Sequence, residues 1–429
     1  MPLKIVKTQS WLAAICLPVA AIACLIAAWF FIKWNFLNVA AANIDADRPE
    51  SILVVDWLTQ VSPYDPQTHF TAATIFEKTF AADDMVRSLS EYELAAELSP
   101  HNYLMWLNLG KARSLTGDTD GADAAYKRAL DLAPNYSNVQ WVYGNFLIRE
   151  GKRDEGFALL AKASVLNRDY ARNSVATALQ MFDGDIESAR RTLGDSDITN
   201  ATLATTLAAQ KRYDEAVDAW SRLAVADKAD KFAELGTTLA AELAGAKKFR
   251  LAARVTADTR TSEPEKPVVG KVANGGFEAA VKLRDAGLFE WRIDEGAEPQ
   301  IGLTETQKHG GNSSLWIAFD SFKASGFRAV TQTVAVAPGT SYEFEVFYRS
   351  DIKSAAVLKW EIADAATDKA IASTPPMADA ADWTPMTVRF SVPADSDGIV
   401  LRLVREGCVG SSCRMSGKMS FDDISIRQP

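Results

Sequence analysis

The side chains best suited to recognise a ligand lie between residues 316 and 402, where apolar and polar residues alternate with a period of two. Alternation sets Leu315, Ile317 and Phe319 on one side of a strand and Trp316 on the other. The same parity turns Phe347 and Arg349 away from the row Tyr342, Phe344, Val346 and Tyr348. It also turns Arg389 away from Met386, Val388 and Phe390, and it exposes Lys359 and Arg402. Planar guanidinium groups beside aromatic rings suit pairing with carboxylates, so Trp316, Phe347, Arg349, Arg389 and Arg402 are the candidate platform. Patterns for catalysis are absent: there is no Gly-x-Ser-x-Gly elbow, no His-Glu-x-x-His helix and no phosphate loop. The three histidines, His69, His101 and His309, are far apart in sequence and read as surface or packing residues without ligand spacing. No enzyme is expected. With 55 acidic against 46 basic residues and a net charge of -9, a nucleic-acid backbone would be repelled.

The elements that must position the platform are strands separated by turns such as Ala337-Pro338-Gly339-Thr340, which indicates an antiparallel sandwich over 272–429. Residues 261–271 read as a linker, since Pro264 and Pro267 stand there among charged residues. At the other end, no charge occurs from Trp11 to Ile32. These residues, at about 1.5 Å each, span about 33 Å, enough for a hydrocarbon core of about 30 Å. Lys4 and Lys7 precede this run and Asp45 and Asp47 follow it. The positive-inside bias therefore predicts a cytoplasmic 1–10, a membrane helix at 11–32, a juxtamembrane linker at 33–50 and a periplasmic or extracellular remainder. The rival is a signal peptide cleaved near Ala40-Ala41-Ala42, although the apolar run is longer than such segments need. An extracytoplasmic setting makes a local disulfide the expected state of Cys408 and Cys413, which enclose a glycine-containing tip.

Between these ends, residues 51–260 carry a period of 34. Gly110 maps onto Gly144, Gly117 onto Gly151, and Ala129 onto Ala95 and Ala163, while Pro66, Pro100 and Pro134 are evenly spaced. Such a period signals stacked helix pairs, none of which can bury its apolar face alone. With Trp106, Leu109, Gly110, Ala122, Tyr126 and Pro134 at these marks, the stretch 103–136 resembles the tetratricopeptide repeat (TPR). The likeness extends to 69–102 and 137–170 and weakens afterwards, and Ser51 to Val61 reads as the second helix of a partial first unit. The resemblance implies a groove for a protein partner. Tyr103, Asn108, Lys111, Asn138, Asn145 and Arg149 are its candidates, since they fall on first helices between core marks. The alternative for the array is a spacer.

A second resemblance rests on Asn274-Gly275-Gly276-Phe277-Glu278, Trp291, Gly310 to Leu315, Pro338-Gly339, Trp383 and the closing Phe421-Asp422-Asp423-Ile424. In that order these look like the carbohydrate-binding-module jelly rolls of the galactose-binding-like type. The likeness implies a structural calcium held by Glu278 and Asp422 or Asp423, with Trp291 and Trp383 in the core. It also implies that the platform above meets an acidic glycan. The chain as a whole then reads as a multidomain protein: one transmembrane helix, an all-α TPR-like solenoid and an all-β sandwich. The function expected is a membrane-anchored scaffold that binds a protein and a polysaccharide. Its alternative is a protein–protein assembly factor whose sandwich binds no sugar.

Overall fold

Helix α1 (Trp11–Ala42) opens the chain, and its stretch Ile15–Ala42 is long and apolar enough to cross a membrane. The computed structural model describes residues 11–45, 47–48, 50–79, 81–262, 265–323, 327–354, 356–407 and 412–429, without the side chains of 11–14, 321–323 and 412–413. Cys408 and the side chain of Cys413 lie outside the described residues. Two compact units are present, Met1–Ser174 and Val175–Pro429.

In the first unit α1 runs ten residues past Ile32, so 33–42 is helix where the sequence reading places a linker. Lys33 ends the uncharged run without ending the helix. Leu37 and Ala41, spaced four apart and therefore on one face, are buried against Leu58 of α2 (Ser51–Val61). Asn38 Nδ2 donates to Asp65 Oδ1 at 2.9 Å, and Thr71 Oγ1 donates to the Ala41 carbonyl at 3.2 Å. Residues 33–42 lie 34 positions before 67–76, which belong to α3 (Pro66–Thr79). The tail of α1 thus supplies the first helix of the partial repeat whose second helix is α2.

The array continues through α3 and α4 (Ala82–Leu98), α5 (Tyr103–Thr116) and α6 (Thr119–Leu132), and α7 (Ser137–Arg149) and α8 (Arg153–Leu166). Helix α9 (Arg168–Met181) carries the boundary between the units. Repeat marks are contacts: Ala95, Ala129 and Ala163 are fully buried, and a Cβ at Gly110 would stand 2.7 Å from the Tyr126 ring. That separation is too short for any larger residue, so the glycine sets the approach of α5 to α6. Asn102 and Asp118 cap those helices, accepting from the N–H groups of Leu104 and Gly121.

The second unit holds α10 (Ile186–Leu193), α11 (Asp197–Ala209), α12 (Tyr213–Ser221), α13 (Val225–Ala229), α14 (Ala233–Gly245) and α15 (Phe249–Thr259), then the sandwich. Fully buried Trp220 closes the helical part, its Nε1 donating to Asp258, which Lys228 also reaches at 2.8 Å. The strands are β1 (Arg292–Ile293), β2 (Gln300–Thr304), β3 (Ser314–Lys323), β4 (Val330–Ala335), β5 (Ser341–Ser350), β6 (Lys353–Ser354), β7 (Val357–Asp364), β8 (Ala370–Ser373), β9 (Ala380–Ser391), β10 (Gly398–Glu406) and β11 (Ser412–Arg427). All described pairings are antiparallel. They form a five-stranded sheet in the order β1-β4-β10-β7-β8 and a six-stranded sheet in the order β2-β3-β11-β5-β9, with β6 beside β11. Inward residues of both sheets, among them Leu315, Ile317, Phe344, Trp360, Leu401 and Phe421, make one core around Trp291. Within this unit the sandwich grips the last helix: Asp397 accepts from the N–H groups of Phe249 and Arg250 at 2.9 and 3.3 Å. A carboxylate at a helix N-terminus satisfies donors that the helix itself cannot.

Candidate ligand-binding face

Pairing register builds one row across the six-stranded sheet. Gly302 of β2 lies opposite Trp316 of β3, Trp316 opposite Ser420 of β11, and Ser420 opposite Arg349 of β5. Trp316 and Arg349 are therefore two strand spacings apart, about 10 Å. Parity holds: Leu315, Ile317 and Phe319 are buried while Trp316 is half-buried on the outer face. Its indole rests on Gly302, where a Cβ would come within 3.1 Å of Nε1, and Nε1 donates to the Leu303 carbonyl at 3.2 Å. The glycine is a seat that fixes the ring. Arg349 is half-buried, and among the described residues it makes no hydrogen bond or ion pair. Ser420 between them is buried, so the cation and the ring are the groups of this row open to a ligand, the cation suited to a carboxylate and the ring to an apolar face.

Beyond Arg349 the face ends in an aromatic group. Phe347 stacks on His309 with ring centroids 3.8 Å apart, and His309 meets Trp383 edge-on at 5.9 Å. Trp383 is half-buried on β9, not in the core as the sandwich resemblance implies. It shares parity with Pro385, Thr387 and Arg389, of which Pro385 faces Phe347 and Arg389 faces Glu343. His309 covers one face of Phe347, so this ring is a support for the loop and offers less stacking area than Trp316. His309 and Trp383 were not among the residues picked from sequence; the alternation along β9 already marked Trp383 as outward.

The loop at 309–313 is held by the three acids. Asp422 Oδ2 accepts from the N–H groups of His309 and Gly310 at 2.8 and 3.1 Å, and its Oδ1 from that of Asp423 at 2.8 Å. Burial pushes the Asp422 carboxyl above the usual carboxylate value, against the pull of these three donors. His309 Nδ1 donates to Asp423 Oδ2 at 2.6 Å. Glu278 accepts from the N–H groups of Asn312 and Ser313 and from the Asn312 amide at 2.8–3.2 Å. The N–H groups of Asn312 and Ser313 hold it below the usual carboxylate range. N–H donors thus reach both carboxylate oxygens of Glu278 and Asp422 and one of Asp423, and among the described residues no three His, Cys, Asp or Glu side chains are placed to hold a metal.

Not every predicted platform residue reaches this face. Arg402 lies on β10, on the outer side of the five-stranded sheet, bound to Glu361 and Asp368 at 2.6 and 2.8 Å. Lys359 is beside it, paired with Glu406. Alternation gives in or out, and it does not give which sheet. Arg389 does lie on the six-stranded sheet, on β9 opposite Glu343, which is four residues along β5 from Phe347 and which it binds at 2.9 Å. The groove candidates occupy α5 and α7. Asn108 and Asn145 donate to the carbonyls of Leu104 and Trp141, one turn back on their own helices. Lys111 reaches Asn108, Arg149 reaches Ser114, Asn138 accepts from the Tyr170 hydroxyl, and the Tyr103 ring lies 4.8 Å from that of Tyr136.

Residues 103–136 match the tetratricopeptide repeat family. No curated protein matches the chain. Among solved structures, the chain is similar to the CBM22-1–GH10 modules of the Clostridium thermocellum xylanase 10B complexed with xylohexaose, at 16% identity and a TM-score of 0.27. That match covers 38% of this chain and 29% of the xylanase chain. It is also similar to a CBM4 carbohydrate-binding module at 15% identity and a TM-score of 0.27, over 37% of this chain and 99% of that one. A third similarity is to MamA (41-end) of Desulfovibrio magneticus RS-1, at 12% identity and a TM-score of 0.31, over 37% and 90% of the two chains. The chain therefore carries a TPR unit, one apolar N-terminal helix and an antiparallel sandwich, with carbohydrate-binding modules among its structural neighbours.

Proposed function

We propose that the protein is a non-enzymatic scaffold, anchored in an inner or plasma membrane by α1, whose array binds a protein and whose six-stranded sheet binds an acidic glycan. Assembly or export of a bacterial envelope polysaccharide is the process in which these parts fit together. The observation that carries the glycan reading is Arg349, a guanidinium without a partner among the described residues, in one row with the seated indole of Trp316. Every other arginine of the predicted platform is already matched to an acid. Anchoring without cleavage is supported by the tail of α1. Removing residues up to Ala42 would strip Leu37 and Ala41 from Leu58 and delete the first helix of the first repeat.

The test is binding of the full-length chain, in mild detergent, to immobilised uronate-bearing and neutral polysaccharides. Binding to the uronates that disappears when their carboxyls are reduced to alcohols is the expected result. Equal binding to neutral polymers removes the role of Arg349, and no binding to any leaves the sandwich as a protein-interaction module. A reporter fused after Pro429 that is active only in the cytoplasm would overturn the topology. A structural calcium would have to displace N–H donors from Glu278, Asp422 and Asp423; a rise in melting temperature with calcium over chelator would establish it.

A further inference from the structure

An apolar crevice of about 310 Å³ lies in the first unit between α1 and the turn from α2 to α3, lined by Phe30, Lys33, Trp34, Leu37, Val61 and Tyr64, with Ser62 and Pro63 between the last two. Its height in the membrane follows from α1. Phe30 belongs to the uncharged run Trp11 to Ile32, so the groups that share a cavity with it stand at the hydrocarbon boundary once that run spans a bilayer. The turn therefore reaches down from the array to the interfacial layer. Its residues suit that depth: Tyr64 and Trp34 are exposed, as is Trp57 one turn before Val61, and amphipathic rings collect at this level of a bilayer. A soluble surface would pay in aggregation for so many exposed rings around one crevice.

One charge stands in the lining. Lys33 is half-buried and, among the described residues, makes no hydrogen bond or ion pair. The carboxylate that follows the turn, Asp65, is taken up by Asn38 Nδ2 and by the N–H and hydroxyl of Thr68. Among the described residues nothing neutralises Lys33 at a depth where a lipid phosphate would. The turn itself is braced from behind: His69 Nε2 donates to the Pro63 carbonyl at 3.0 Å and Nδ1 to Glu91 Oε2 at 2.5 Å. The crevice has a fixed wall.

We infer that this crevice binds an anionic phospholipid of the leaflet from which the array emerges, with the upper acyl chain and glycerol between Phe30, Leu37 and Val61 and the phosphate on Lys33. The inference rests on the reading that α1 spans the membrane. A lipid held there would set the angle at which the array leaves the bilayer, because 33–42 belongs to both the anchor and the first repeat.

The test uses the full-length chain in vesicles of phosphatidylethanolamine and phosphatidylglycerol that carry a photoactivatable diazirine acyl probe with either a phosphatidylglycerol or a phosphatidylcholine headgroup. Cross-linked peptides are mapped by mass spectrometry. Labelling of both 30–37 and 61–64, stronger with the anionic probe, is expected. Lys33→Gln should lower anionic labelling of 61–64 about fivefold, and Lys33→Arg should retain it. Label confined to α1, or label on 61–64 that ignores headgroup and Lys33→Gln alike, overturns the lipid site. Extraction of the wild-type chain by alkaline carbonate instead overturns the spanning reading and the crevice with it, so the two failures are distinct.

Discussion

The two outer faces of the sandwich differ in how their charges are spent. On the five-stranded sheet Arg402 meets Glu361 and Asp368, and Lys359 meets Glu406, so both of these cations find an acid on a neighbouring strand or loop. On the six-stranded sheet Arg389, Arg427, Glu343 and Glu345 form a similar ladder at one end, whereas Arg349 near the other end pairs with nothing described. Cross-strand pairs of opposite sign stabilise a sheet by a few tenths to about 1 kcal/mol each. On the glycan reading proposed above, a position that forgoes this gain, in one row with an indole seated on a glycine, is where a ligand would supply the missing partner.

The largest effect expected on this comparison comes from beneath the six-stranded sheet. Asp422→Ala leaves the N–H groups of His309, Gly310 and Asp423 without their acceptor, and should cost about 3 kcal/mol in urea unfolding. It should also release the 309–313 loop, read as faster amide exchange there than in the five-stranded sheet. Next comes Trp316→Ala, which should weaken glycan binding by roughly 1 to 3 kcal/mol, a range taken from ring stacking on nucleic-acid bases. Because the indole is half-buried, the stability loss should stay below the roughly 3 to 5 kcal/mol of a core tryptophan; a loss of that full size with unchanged affinity would end the platform reading. Smaller still is the contrast between arginines. Arg402→Gln should cost about 1 kcal/mol of stability or less and leave binding untouched, while Arg349→Gln should leave stability unchanged and abolish the preference for uronates.

Much of this was legible in the sequence because the signals are contacts in disguise. The 34-residue spacing of glycine and alanine is the spacing at which α5 must approach α6 closely enough for Gly110 to touch Tyr126. Alternation places Leu315, Ile317 and Phe319 on the side that proves to be the core and Trp316 on the other. Three things escaped. The sandwich likeness turns Trp383 inward, whereas the parity of its own strand points outward. Period two groups Arg402 with Arg349 because it says nothing of pairing partners, and β10 lies in the five-stranded sheet whereas β5 lies in the six-stranded one. Residues 33–42 read as a linker in the sequence and form helix in the structure, since a lysine that ends a membrane run does not break a helix. His309 carried no sequence signal: its role comes from the loop that sets it on Phe347, and that loop is pinned by acids more than a hundred residues away.

The smallest expected effect separates loop pinning from metal binding. Glu278 is held below its ordinary value of 4.5 by the N–H groups of Asn312 and Ser313. A carboxyl whose folded value is depressed binds protons less readily when folded than when unfolded, so its contribution is complete above about pH 4.5 and is lost as pH falls toward the folded value. Glu278→Gln keeps the shape and one acceptor oxygen but never carries charge. The difference in melting temperature between wild type and Glu278→Gln should therefore be present at pH 7 and close progressively below about pH 4.5. A difference that stays constant with pH would mean that shape alone holds the loop. Repeating the pair with calcium and with chelator sharpens the assignment. If the hydrogen bonds account for Glu278, the difference at pH 7 is the same in both; if calcium widens it, the carboxylate holds a cation and the N–H donors must turn away to admit it.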